Sequence, residues 1–124
     1  MRKVWRILTA LGIAALVLGA WAAWKGLGSS GVTAHVTNAT GENLGSVTIQ
    51  YETCGKRSSV STGALGPGES RRLRYFVCGE GGYTVEAHFA DGRLLQGGGG
   101  YVETGYISTD VISNDEISSQ QSLY

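Results

Sequence analysis

The sequence predicts a small antiparallel β-sandwich behind one N-terminal hydrophobic helix, and three observations predict it. An uncharged apolar run fills residues 7–24. After Lys25, apolar and polar residues alternate with period two in short runs, and no amphipathic helical stretch of useful length occurs. Twenty glycines against a single proline, among many Thr, Val, Tyr and Ser, punctuate those runs with tight turns. About six to eight short strands with regularly spaced turn signals make an antiparallel sandwich, with a small β-barrel as the alternative fold. The lack of helical runs excludes α/β and ferredoxin-like architectures.

The N-terminal run holds 18 residues without a charge. As a helix it is about 27 Å long, close to a hydrocarbon core of about 30 Å. Trp5 precedes it and Trp21 and Trp24 close it, where indole rings sit at the two interfaces of a bilayer. Arg2, Lys3 and Arg6 precede the run and only Lys25 follows closely, so the N-terminus stays in the cytoplasm and the body lies outside. The expected location is the cytoplasmic membrane, single-pass. The alternative is a cleaved signal peptide, with Ala20-Trp21-Ala22 as its small-x-small site and a periplasmic or secreted product. The tryptophans favour the anchor. Neither Cys54 nor Cys78 is near enough to serve as a lipoprotein acylation site. Ala10/Ala14 and Ala15/Gly19 have the spacing that lets membrane helices approach, although small residues are common in such segments anyway.

The length leaves room for one domain. The expected organisation is an anchor or signal peptide at 1–25, a Gly/Ser tether at 26–31, a sandwich at 32–112 and a flexible polar tail at 113–124. Of the ten basic residues, three precede the apolar run, so seven remain against ten acidic ones. A mildly acidic exported body argues against nucleic acid as a partner.

Val32, Ala34 and Val36 alternate with Thr33, His35 and Thr37 as the first strand, and after a turn-rich stretch Val47, Ile49 and Tyr51 form the second. Cys54-Gly55-Lys56 breaks the pattern, and residues 58–62 read as a short polar edge strand. Leu65-Gly66-Pro67-Gly68-Glu69 is a turn in which Pro presets φ and Gly admits positive φ. Residues 71–77 follow with Leu73, Tyr75 and Val77 on one face and Arg72 and Arg74 on the other. Residues 79–82 turn the chain. Tyr83, Val85, Ala87 and Phe89 then make the cleanest strand, and Asp91-Gly92 signals a two-residue hairpin. Residues 97–100, four glycines, read as a loop or flattened edge. The last strand or pair of strands covers 101–112, with Ile107, Thr109 and Val111 expected inward.

Over residues 32–112 this succession, with its Leu-Gly-Pro-Gly-Glu turn, Tyr-rich strand and Asp-Gly hairpin, resembles the small immunoglobulin-like modules of bacterial envelope proteins. The resemblance implies an immunoglobulin-like sandwich and transfers no functional residue, since such folds host many functions. No Trp lies beyond residue 24, so the antibody-type Cys…Trp…Cys pattern is absent.

Cys54 and Cys78, just past two strand ends, are expected to form one disulfide in an oxidising compartment; free thiols and metal ligation are the alternatives. His35 and His88 fall on polar strand faces without metal-ligand spacing, so no metal or cofactor is expected. Ser58-Ser59-Val60-Ser61 lacks a nucleophile-elbow context and the glycine run lacks a phosphate-loop lysine. Asn38-Ala39-Thr40 is a formal glycosylation sequon, expected to be unmodified in a chain whose export signal looks bacterial. Lys56, Arg57, Arg71, Arg72 and Arg74 form the one local charge excess, either a solvated edge or a contact for an acidic partner or anionic lipid. Tyr101, Tyr106 and Tyr124 are candidate interface residues. Arg71, Arg72, Arg74, Tyr101 and Tyr106 are therefore the candidate partner-binding set. These features point to a non-enzymatic binding or structural module of the cell envelope, contacting the membrane and an envelope protein. The alternative is a secreted inhibitor or immunity-type protein that inserts a glycine-rich loop, at 79–82 or 97–100, into a periplasmic enzyme.

Overall fold

Alternation of buried and exposed side chains organises the body into eight strands: β1 (Gly31–Asn38), β2 (Leu44–Thr53), β3 (Lys56–Ser61), β4 (Ser70–Phe76), β5 (Glu80–Phe89), β6 (Leu94–Glu103), β7 (Tyr106–Ile112) and β8 (Ile117–Leu123). This is a computed structural model, and it describes residues 31–123; the anchor or signal peptide and most of the tether lie outside the described residues. The strands form two four-stranded sheets, ordered β4-β1-β7-β8 and β3-β2-β5-β6. The described region is all-β. Inward residues of both sheets, among them Val32, Val36, Val47, Ile49, Val85 and Ile112, meet in one core of fully buried side chains.

The strand alternation expected for 32–37, 47–51 and 83–89 is present, with Val32, Ala34, Val36, Val47, Ile49, Tyr83, Val85, Ala87 and Phe89 all buried. Residues 56–61 form the polar edge strand, and His35 and His88 are exposed on outer faces. At the β2–β3 turn Cys54 and Gly55 both have positive φ, 54° and 70°, the geometry of a two-residue hairpin. The turn holds Cys54 6.0 Å in Cα–Cα distance from Cys78, and the two form a disulfide. Closing about 25 residues, the bridge contributes roughly 3 kcal/mol in the chain-entropy account. Asn38 pins the opposite end: its buried side chain donates to the Glu42 and Leu65 carbonyls and accepts from the Thr40 amide and hydroxyl.

The structure corrects several expectations. The sandwich is not purely antiparallel, because β1 and β7 pair in parallel. Residues 113–123 are not a frayed tail, because β8 pairs with β7 from Tyr106↔Leu123 to Ile112↔Ile117, and the candidate Tyr124 lies outside the described residues. The four glycines continue β6 instead of forming a loop, and Gly81 and Gly82 belong to β5, so the turn before it is confined to Cys78 and Gly79. The β5–β6 hairpin exists but its loop is Ala90-Asp91-Gly92: the Gly92 amide bonds the Phe89 carbonyl, the Phe89 amide bonds the Arg93 carbonyl, and only Gly92 has positive φ. β7 is in the opposite phase, with Ser108, Asp110 and Ile112 buried and Thr109 exposed. Its register explains this. Ala34↔Ser108 and Val36↔Asp110 are parallel partners, and a residue beside inward Ala34 or Val36 must also point inward.

Candidate functional site

Gly82 lies on the outward-facing phase of β5, between Glu52 of β2 and Tyr101 of β6 in the cross-strand register. With no side chain there, a shallow groove opens on the outer face of the second sheet, floored by Gly82 and Gly100. Its volume is about 540 Å³, and Gln50, Glu52, Arg57 and Thr84 stand around it. Close approach fixes the floor: a Cβ on Gly81 would come 2.6 Å from the Glu52 carbonyl oxygen, and one on Gly99 would come far inside contact distance of the Tyr83 carbonyl.

Hydrogen bonds hold the polar rim in place. Gln50 Nε2 donates to Glu86 at 3.1 Å and Gln96 Nε2 to its other oxygen at 2.7 Å, while Arg57 Nε lies 3.3 Å from Glu52. The Tyr101 hydroxyl sits 2.5 Å from Glu103 and 3.0 Å from Glu80. The Glu103 hydrogen bond, followed by the site's partial desolvation and Glu80, pushes the Tyr101 phenol above its usual range. The rim thus offers donors, acceptors and one exposed ring to a polar ligand, in an open setting that does not exclude water.

Beneath the groove lies a buried polar cluster that strand patterning in the sequence does not reveal. Asp110 is fully buried, and its carboxylate accepts from Tyr83 at 2.9 Å, Ser119 at 2.6 Å and Ser108 at 2.9 Å. Gln121 Nε2 donates to the Tyr83 hydroxyl and to the Gly99 carbonyl, and Ser119 accepts from the Gly99 amide. Burial first, then the Asp110 charge, raises the Tyr83 phenol. The cluster joins β5 and β6 to β7 and β8 across the sandwich and is a structural bridge. Its sequence signal was Asp110 in a strand, legible only with the correct phase.

The candidate partner residues do not gather on one surface. Arg72 and Arg74 project from β4, an edge strand, with Phe76 beyond them. Arg71 is turned back onto the molecule, bonding the Thr62 carbonyl at 2.5 Å and lying 4.0 Å from Glu69. Tyr101 and half-buried Tyr106 meet edge-on, with centroids 6.2 Å apart, at the far side where β6 and β7 approach. Lys56 and Arg57, by contrast, do join the β4 arginines, because β3 and β4 are the neighbouring edges of the two sheets. Among the described residues no cluster of three or more His, Cys, Asp or Glu side chains is arranged to hold a metal ion.

No protein-family model matches the chain, and no curated protein matches it. Among solved structures, a chain in the structure of a disulfide-locked mutant of intermedilysin with human CD59 aligns over 76% of this chain at 9% identity and a TM-score of 0.38. This chain spans 24% of that one's length, and so slight a likeness carries no argument.

Proposed function

We propose that the chain is an exported, membrane-anchored, non-enzymatic binding module of the cell envelope, built on an immunoglobulin-like sandwich. The fold assignment is supported by two packed sheets between which the chain crosses repeatedly, from β1 to β2, β3 to β4, β4 to β5 and β6 to β7. The observation that carries the binding role is the glycine-floored groove with its preset rim of Gln50, Glu52 and Arg57, beside which Tyr101 lines a second hollow over the same two glycines. Polar groups already held in place lose little entropy when a partner is bound. The apolar run at 7–24 with its flanking charges supports the anchored location. The inhibitor reading has less support, since residues 97–100 belong to a strand and offer no loop to insert.

Cell fractionation with N-terminal sequencing tests the location: the expected product sits in the membrane fraction and begins at Met1, and a soluble product beginning near Ala22 overturns the anchor. A photo-crosslinking residue in place of Gln50 tests the groove. A discrete adduct that vanishes on Tyr101→Ala is expected, and labelling that spreads equally to a site at Leu94 counts against it.

A further inference from the structure

Five of the six Lys and Arg residues in 31–123 lie on β3 and β4, the two edge strands of one flank, where Arg57 is paired with Glu52 and Arg71 with Glu69; the sixth, Arg93, is held by Glu42 and Asp91. That flank reaches the end of the sandwich where the N-terminal segment enters. Gly31 pairs with Phe76, which is 57% exposed on the outer face. The Arg74 guanidinium lies over Gly31, so close that a Cβ there would come within 2.6 Å of it. Lys56 stands at the same end, at the close of the β2–β3 turn beside the disulfide.

Resting on the anchored reading above, we propose that this flank lies against the bilayer, with Phe76 at the lipid interface and Lys56, Arg72 and Arg74 facing anionic head groups. Chain length constrains the contact. From Lys25 to Gly31 is six peptide steps, at most about 21 Å, whereas a ten-residue strand is about 33 Å long. The tether therefore holds the near end, with Gly31, Phe76 and Lys56, within about 21 Å of the surface, whereas an upright sandwich carries its far end, the β5–β6 hairpin, beyond that reach. Charge then sets the tilt. Glu80 and Glu103, at the near end but on β5 and β6, are repelled by an anionic surface, while each cation near it favours contact by about fivefold. The sandwich therefore leans onto β3 and β4 and presents the groove rim at Tyr101 away from lipid.

The test places the full chain in lipid nanodiscs of equal parts phosphatidylglycerol and phosphatidylcholine, doped with a gadolinium-chelating lipid, and reads amide line broadening. Severalfold greater broadening at Arg72, Arg74 and Phe76 than at Asp91 and Gly92 is expected. The difference should shrink in phosphatidylcholine alone and in Lys56→Glu/Arg72→Glu, whose exposed positions leave the amide spectrum dispersed. Uniform broadening, broadening strongest at the hairpin, or a pattern indifferent to lipid charge overturns the proposal while the anchored reading stands, provided the chain remains in the disc. A chain that leaves the disc on purification overturns both.

Discussion

Two buried tyrosines show how hydrogen-bond partners decide what a polar atom contributes. The Tyr83 hydroxyl donates to Asp110 and accepts from Gln121, so Tyr83→Phe leaves a buried carboxylate with one donor fewer and should cost about 1–3 kcal/mol. The Tyr75 hydroxyl is buried without a hydrogen-bond partner among the described residues, although its ring stacks on Tyr51 at 4.5 Å. Tyr75→Phe keeps that stacking and removes an unmatched group, so it should be neutral or stabilising by up to about 1 kcal/mol. Urea unfolding of the full chain in detergent, followed by near-ultraviolet circular dichroism, separates the two; equal losses would show that the cluster contributes nothing specific. The same residues set the alkaline limit. Burial, then the Tyr83 charge, raises the Tyr75 phenol, and burial, then Asp110, raises that of Tyr83. The folded state thus holds both protons beyond the ordinary value of 10.0. Their contribution is complete below that pH and is lost as pH rises through the folded values. Absorbance at alkaline pH should show these two phenols ionising together with loss of the near-ultraviolet signal, and reversible ionisation in a still-folded chain would refute this.

Among the elements, β6 is where local pattern and structure part company. Four consecutive glycines have no strand propensity, and by pattern alone they read as a loop or flattened edge. They form a strand because Gly98, Gly99 and Gly100 pass so close to Ile117, Tyr83 and Gln121 that side chains have no room. A bulge opposite Tyr83–Val85 takes up the irregular backbone. Gly99 has φ +91° and no space, whereas a Cβ on Gly97 meets only Ile117, at 4.0 Å. Gly99→Ala should therefore destabilise by about 2 kcal/mol or more and Gly97→Ala by less than about 1 kcal/mol. Matching urea midpoints would remove the steric account. What was legible here were strands whose alternation is strict, such as Tyr83 to Phe89, and turns with a backbone requirement, such as Gly68. Strand β7 was misread because Ile107 and Val111 are apolar yet only half-buried, while Ser108 and Asp110 are polar yet buried. Periodicity alone cannot choose between two such phases; the parallel register with β1 does. The groove was hidden for a related reason, since glycines at 82 and 100 become a floor only when β5 and β6 are paired.

At the scale of the whole molecule, the two sheets are fastened differently along their two flanks. On the β3–β4 side the connection is the Cys54–Cys78 bridge and the Arg71 bond to the Thr62 carbonyl. On the β6–β8 side it is the Asp110 cluster, completed from β8 by Ser119 and Gln121, with Ile117 packed into the core. A polar C-terminal segment that looks dispensable in sequence therefore closes the sandwich. Ending the chain after Ser113 removes the whole of β8, bares the edge of β7 that pairs with it and leaves Asp110 with one hydroxyl partner fewer near a newly opened core. Breaking up a buried charged group's surroundings in this way costs about 3 kcal/mol or more, a large part of the stability of a domain this size. The expected outcome is loss of amide-exchange protection across β6 and β7, while β2 and β3, on the disulfide-fastened flank, keep more of theirs. Ile117→Ser with Ser119→Ala should produce a milder form of the same gradient. A truncated chain with unchanged protection in β6 and β7 would mean that β8 is an appendage to a sandwich complete without it.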